Sequence, residues 1–158
     1  MEKVVVKSNS YEHDEFGITT EDPELTKRGA EKRIRKSRAI ENELRKKKTV
    51  KTYGDPKSQT VLITWGSTKG AVVEVAEKHG LRVIQPLYLN PLPVWEMGKH
   101  LSKAGKTICV EANSTGQLAR WVKYHGFRVD KTILKYDGRP FTIDYLEEKI
   151  RGVVSNGC

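Results

Sequence analysis

A chain of 158 residues with 29 Lys and Arg against 20 Asp and Glu has room for one full domain and an attached segment, not for two independent cores. No run approaches the roughly 18 apolar residues of a membrane span, and the start, MEKVVVKSNS, lacks the apolar stretch and cleavage site of a secretory signal, so a cytoplasmic protein is expected. Cys109 in an apolar run and Cys158 at the end give no disulfide framework and no C-x-x-C pair, and His13, His79, His100 and His125 show no i, i+4 pairing for a metal.

The net charge of +9 admits an anionic partner such as nucleic acid. Its distribution narrows this: the first 25 residues are acidic, the next two dozen strongly basic, and the rest mixed. High Lys, Glu and Arg with few amides is also a thermophile's composition, in which surface charges serve ion-pair networks.

In chain order, Lys3–Lys7 is a short β-branched run and Ser8-Asn9-Ser10 a loop. Tyr11–Glu24 is acidic and aromatic, punctuated by Gly17 and Pro23. Glu12, His13, Asp14 and Glu15 hold the residue types of a proton-transfer or metal site. Four adjacent residues diverge on any regular element, however, and a solvated or partner-facing loop is expected. Pro23–Lys48 reads as a helix, with Pro23 and Glu24 in its first turn and Arg45–Lys48 complementing the dipole at its end. Its apolar stripe, Ala30, Ile34, Ala39, Ile40 and Leu44, is too thin for a core helix, and a basic stretch Thr26–Lys48 without interleaved aromatics is a weak nucleic-acid signal.

Thr49–Tyr53 alternates as an edge strand would, and Gly54-Asp55-Pro56 turns the chain. Thr60–Gly66 (TVLITWG) is a β-branched run of the kind buried on both faces of a parallel sheet. A helix follows, with Ser67 or Thr68 as cap, Ala71, Val72, Val75 and Ala76 as apolar face, and Gly80 as left-handed terminator. This βα unit repeats: strand Arg82–Leu89, with Pro86 marking an end or bulge, then helix Val94–Ala104; strand Lys106–Ala112, then helix Gln117–His125 behind Asn113-Ser114-Thr115-Gly116; strand Val129–Tyr136, then helix Thr142–Arg151. Gly152–Cys158 carries no pattern and reads as a frayed tail. The fold class is therefore α/β with a layered sheet.

Ligands of such sheets collect at the carboxyl ends of the strands. Those ends carry Gly66–Gly70, Asn90-Pro91 and Glu111–Gly116. Gly66–Gly70 matches neither G-x-x-x-x-G-K-[ST] nor G-x-G-x-x-G and reads as a tight βα turn. No nucleophile–base set and no isolated carboxylate pair stands out, and Cys109 reads as a small buried hydrophobe.

At these same turns ITWGSTKG, NPLPVWE, VEANSTGQLARWV and ILKYDGRPF stand in order. They resemble the C-terminal domain of the α subunit of 2-oxoacid:ferredoxin oxidoreductases of the 2-oxoglutarate type, and YEHDEFGITTEDPE with its basic helix is similar to the segment that joins that domain to the preceding one. The resemblance spans about Ser8 to Ile150. It implies a transketolase C-terminal-like domain, a three-layer α/β/α sandwich on a mixed five-stranded sheet with one antiparallel edge strand, for which Thr49–Tyr53 is the candidate. The expected domains are 1–48, acidic loop and basic linker helix; 49–152, the α/β domain; and 153–158, a tail.

For the complete complex the resemblance implies oxidative decarboxylation of a 2-oxoacid, 2-oxoglutarate first among them, to an acyl-coenzyme A with ferredoxin reduction. Thiamine diphosphate and magnesium would be held by a β subunit and the iron–sulfur clusters elsewhere. Ahead of Tyr11, where ten residues stand here, a full α subunit of the family carries a long pyrimidine-binding domain. No cofactor and no catalytic residue is therefore expected of this chain, which reads as an assembly module, truncated or separately encoded and inactive alone. Its expected partners are the β subunit and ferredoxin-type subunits. Glu12, His13, Asp14 and Glu15 in the linker and Glu111, Asn113, Gly116 and Gln117 in the most distinctive motif are interface candidates. The alternative is a stand-alone nucleic-acid-binding module using Thr26–Lys48.

Overall fold

Residues 11–154 are described by the structure, a computed structural model; Lys3–Lys7, Ser8–Ser10 and Cys158 lie outside the described residues. The chain divides into two units, Met1–Glu43 and Leu44–Cys158.

In the first unit, Tyr11–Asp22 folds back on itself through an isolated antiparallel bridge between His13 and Thr19. Asp14 organises the turn, its Oδ1 accepting the amides of Phe16 at 2.9 Å and Ile18 at 2.8 Å. Such a side chain substitutes for backbone partners that a tight turn cannot supply. Asp22 then caps helix α1 (Pro23–Leu44), its Oδ1 accepting the amide of Leu25 at 2.8 Å. The helix stops at Leu44, short of the expected Lys48. Arg45–Lys48 therefore lie beyond the last turn, which itself holds no basic residue. Leu44 is buried and Thr49 and Val50 after it are fully covered, so packing ends the helix before the lysines do.

The second unit begins with β1 (Val50–Gly54), followed by β2 (Thr60–Ile63), β3 (Arg82–Pro86), β4 (Lys106–Glu111) and β5 (Lys131–Leu134). Their order in the sheet is β1-β3-β2-β4-β5, with β1 antiparallel to β3 and the other pairs parallel. The expected antiparallel edge strand is thus β1. Four helices cover the sheet: α2 (Lys69–Lys78), α3 (Val94–Leu101), α4 (Gln117–Tyr124) and α5 (Ile143–Val154).

Alternation along the central strands sends side chains to both faces, and both are dry. On one face Val61, Ile63, Ile84 and Cys109 meet Met97 and Leu101 of α3 and Leu118 and Val122 of α4. On the other Leu62, Val83, Ile108 and Val110 meet Val72 and Val75 of α2 and Leu146 and Ile150 of α5. Each of the larger side chains contributes about 1.5–3 kcal/mol by leaving water. The result is a three-layer α/β/α sandwich.

Pro86 ends β3 three residues before the expected Leu89, as a residue with no amide to donate should. Neither Ser67 nor Thr68 caps α2. Gly66–Thr68 forms a turn of 3-10 helix, so Thr68 already has helical dihedrals of −65° and −21° and no side-chain cap bond, whereas a capping residue needs extended backbone. At the far end Gly80 has the expected left-handed φ of 60°. Helix α5 runs three residues past Arg151, because Val153 packs on the core and its carbonyl accepts Lys106 Nζ at 2.5 Å; residues 153 and 154 are therefore helix, not tail.

Two carboxylates tie strand starts to their neighbours. Glu96 of α3 accepts the Thr49 amide at 2.7 Å, the Val50 amide at 3.1 Å and the Thr49 hydroxyl. Asp130 accepts the Thr107 amide at 2.7 Å and its hydroxyl at 2.9 Å. Burial pushes both carboxyls up, but these donors outweigh it and hold both below the usual carboxylate range. A depressed folded-state pKa contributes stability that is present above the unfolded value, near 4, and is lost as pH falls through the folded value. The urea midpoint is therefore expected to fall as pH drops below about 4. Glu96→Gln and Asp130→Asn should each be less stable at pH 7 and show a shallower acid limb, measured by urea unfolding across pH 2.5–7.

Candidate functional site

The carboxyl ends of β2 and β4 lie side by side at the point where the strand order reverses, since β3 lies to one side of β2 and β4 to the other. Thr64, just after β2, is wholly buried; its hydroxyl donates to the Val110 carbonyl at 3.1 Å and its amide to that of Ile84 at 3.2 Å. Beside it β4 ends in Glu111, a carboxylate with no exposure at all.

Glu111 is fully coordinated by donors. Its Oε2 accepts the Leu118 amide at 2.7 Å and the Asn113 side-chain amide at 2.8 Å, and its Oε1 accepts the Ala119 amide at 2.9 Å and the Cys109 thiol at 3.4 Å. Leu118 and Ala119 are in the first turn of α4, whose orphan amides and positive dipole end make a good seat for a carboxylate. Asn113 completes the turn, its Oδ1 accepting the amides of Thr115, Gly116 and Gln117 at 3.1, 2.7 and 3.3 Å. Gly116 adopts a left-handed φ of 63°, and a Cβ there would lie 3.7 Å from Glu111 Oε1. Cys109 is the buried residue expected, and burial followed by the charge of Glu111 pushes its thiol well above the usual range, so it is a poor nucleophile.

Glu111 and Gly116 therefore have no surface to offer, and Asn113 is half-buried with its polar atoms engaged. Gln117 is exposed. In the linker, Glu12 bonds Arg33 of α1 at 2.5 Å, and a Cβ on Gly29 would come within 2.4 Å of its carboxylate, so Gly29 makes room for that docking. His13 Nδ1 donates to the Asp14 carbonyl at 2.7 Å, Asp14 is spent on its turn, and Glu15 is exposed. The four do not converge.

One surface was not singled out from the sequence. Trp121, Tyr124 and His125 of α4 form an aromatic cluster: Trp121 and Tyr124 stack with centroids 5.2 Å apart, and His125 meets Trp121 edge-on at 4.6 Å. The Trp121 indole N–H donates to the Leu89 carbonyl at 2.6 Å, anchoring the cluster to the loop after β3. Tyr124 is 77% exposed, and Leu87 and Tyr88 in that loop are 40% and 38% exposed. The signal in the sequence was W-x-x-Y-H, aromatic residues at i, i+3 and i+4 of a short amphipathic helix.

Among the described residues no group of three or more His, Cys, Asp or Glu is arranged to hold a metal, and the one described cysteine is buried. Nor is any described helix long and apolar enough to cross a membrane.

The second unit is thus a domain of the transketolase C-terminal-like class: mixed sheet, antiparallel edge strand, two helices on each face. No family model matches the chain. Among curated proteins, the 2-oxoacid:ferredoxin oxidoreductase subunit alpha of Saccharolobus solfataricus is 35% identical over 152 residues, which are 92% of this chain and 24% of that protein. The 2-oxoacid:ferredoxin oxidoreductase 1 subunit alpha of Aeropyrum pernix is 34% identical over 154 residues with the same shares. A solved 2-oxoglutarate:ferredoxin oxidoreductase from Magnetococcus marinus, with 2-oxoglutarate, coenzyme A and succinyl-CoA bound, shares the fold at a TM-score of 0.69 and 24% identity over 91% of this chain and 26% of that one. The chain is homologous to a segment of the α subunit of 2-oxoacid:ferredoxin oxidoreductases, and it spans about a quarter of the length of the curated relatives it matches. These relatives give no support to a nucleic-acid role for Thr26–Lys48.

Removing the charge of Glu111 alone would turn a coordinated acceptor into an amide facing donors. Glu111→Gln is expected to lose about 2–4 kcal/mol of stability, read by urea unfolding. The first-turn amides of α4 should lose hydrogen-exchange protection before the sheet does.

Proposed function

We propose that this chain works as part of the α subunit of a 2-oxoacid:ferredoxin oxidoreductase and supplies assembly surfaces rather than chemistry. The observation that carries this is the saturation of Thr64, Glu111 and Asn113 at the switch point, where an α/β domain with chemistry of its own would keep polar groups free for a ligand. Homology over 92% of the chain supports a place in such a complex. The complete complex would oxidise a 2-oxoacid, 2-oxoglutarate being the first to test, to an acyl-coenzyme A while reducing ferredoxin. Thiamine diphosphate, magnesium and iron–sulfur clusters would be held by other parts, the first two by the β subunit.

Three surfaces fit partner contacts. In the first unit Tyr11, Phe16 and Ile18 are 63%, 71% and 58% exposed. They are held in a defined turn by Asp14 beside the acidic Glu15, a combination more suited to a protein neighbour than to water. Along α1, residues 30–40 are all exposed, Ile34 included, with Arg35, Lys36 and Arg38 around them, a face suited to steering toward an acidic subunit. In the second unit the Trp121–Tyr124 stack, with Gln117 on the same helix, offers aromatic anchors.

Coexpression with a β-type subunit is expected to give a complex stable to gel filtration at moderate salt. Phe16→Asp and Tyr124→Asp should each weaken it at least tenfold, while the chain alone should oxidise no 2-oxoacid. Failure of any β-type subunit to co-elute, or oxoacid oxidation by the isolated chain, would overturn the proposal.

A further inference from the structure

A cavity of about 390 Å³ opens where β1 ends and β3 begins, at the opposite end of the sheet from Glu111, lined by Thr52, Tyr53, Gly54, Pro56, Arg82 and His100. Its wall is rigid at Gly54, where φ is 72° and a Cβ would lie 2.1 Å from the Leu81 carbonyl oxygen. Arg82 Nη2 lies 2.8 Å from His100 Nδ1. Arginine can only donate, so Nδ1 is the acceptor, and the imidazole is held neutral with its proton on Nε2.

Arg82 is the one charged residue in the cavity lining. Arg82 from β3, Lys99 from α3 and Lys48 ahead of β1 all act on His100, which burial first and then these charges hold below the usual histidine range. The one opposing charge, Glu96, is engaged with Thr49 and Val50, and the cavity lining contains no carboxylate. The Arg82 charge thus has no carboxylate in the lining to offset it, and a bound anion would supply that charge. An arginine guanidinium beside an imidazole that keeps an N–H to donate suits the several oxygens of a phosphoryl group.

We propose that this cavity is a binding site for a phosphoryl group, held between Arg82 and His100. The inference does not depend on the assembly role. Inorganic phosphate and ADP are the probes, added to the full chain while His100 is followed by NMR and unfolding by thermal shift. Phosphate should move the His100 titration midpoint to higher pH and, at about tenfold excess over its Kd, raise the unfolding midpoint by roughly 5 °C. Arg82→Gln and His100→Gln should each weaken binding at least tenfold. Arg139→Gln, which removes the same charge from an exposed turn, should not. Equal affinity for both probes would support free phosphate as the ligand, and tighter binding of ADP a phosphate carried on a larger molecule. No response to either probe, an unchanged response in His100→Gln, or equal weakening by Arg139→Gln would overturn the proposal.

Discussion

The carboxylate of Glu111, buried at the end of β4 with its oxygens accepting the first amides of α4, is the interaction on which the second unit turns. A charge without exposure is costly unless every lone pair is met, and here strand, turn and helix each supply a donor. The bond network fixes where α4 starts and how it crosses the sheet. It thereby places Leu118 and Val122 on the core and Tyr124 in solvent.

The two units differ in what they bury. The second covers both faces of its sheet, and its central strands have no exposed apolar side chain. The first leaves Tyr11, Phe16, Ile18 and Ile34 in solvent while ordering the chain around Asp14, Asp22 and the Glu12–Arg33 pair. Local hydrogen bonds and capping can shape such a segment, but little of its stability comes from apolar burial. The exposed Glu12–Arg33 pair adds little in water.

The βα repeat was legible in the residues because each core strand is a short β-branched run and each helix has an apolar face of the right period. Boundaries failed where a neighbouring group intervened. α1 ends before its lysines because Leu44 is pulled into packing, and α5 outlasts Arg151 because Lys106 from β4 reaches the Val153 carbonyl. Ser67 and Thr68 looked like caps by composition, yet the 3-10 turn gives Thr68 helical dihedrals. Glu111 and Asn113 were legible as a distinctive pair but not as buried scaffold, since a lone Glu at a strand end reads as exposed by default.

The sequence by itself determined the α/β class, the number and kind of the elements after Thr49, the glycine that stops α2, and the kinship carried by the strand-end turns. Those follow from residue periodicity and backbone stereochemistry, which act within a few positions. Only the tertiary structure decided that β3 lies between β1 and β2, that Glu111 is spent on α4, that the Trp121 indole is anchored on the Leu89 carbonyl, and that Arg82 and His100 share a cavity. These depend on which side of the sheet each crossover takes and on what then lies opposite, and contacts between different elements leave no periodic trace in the chain.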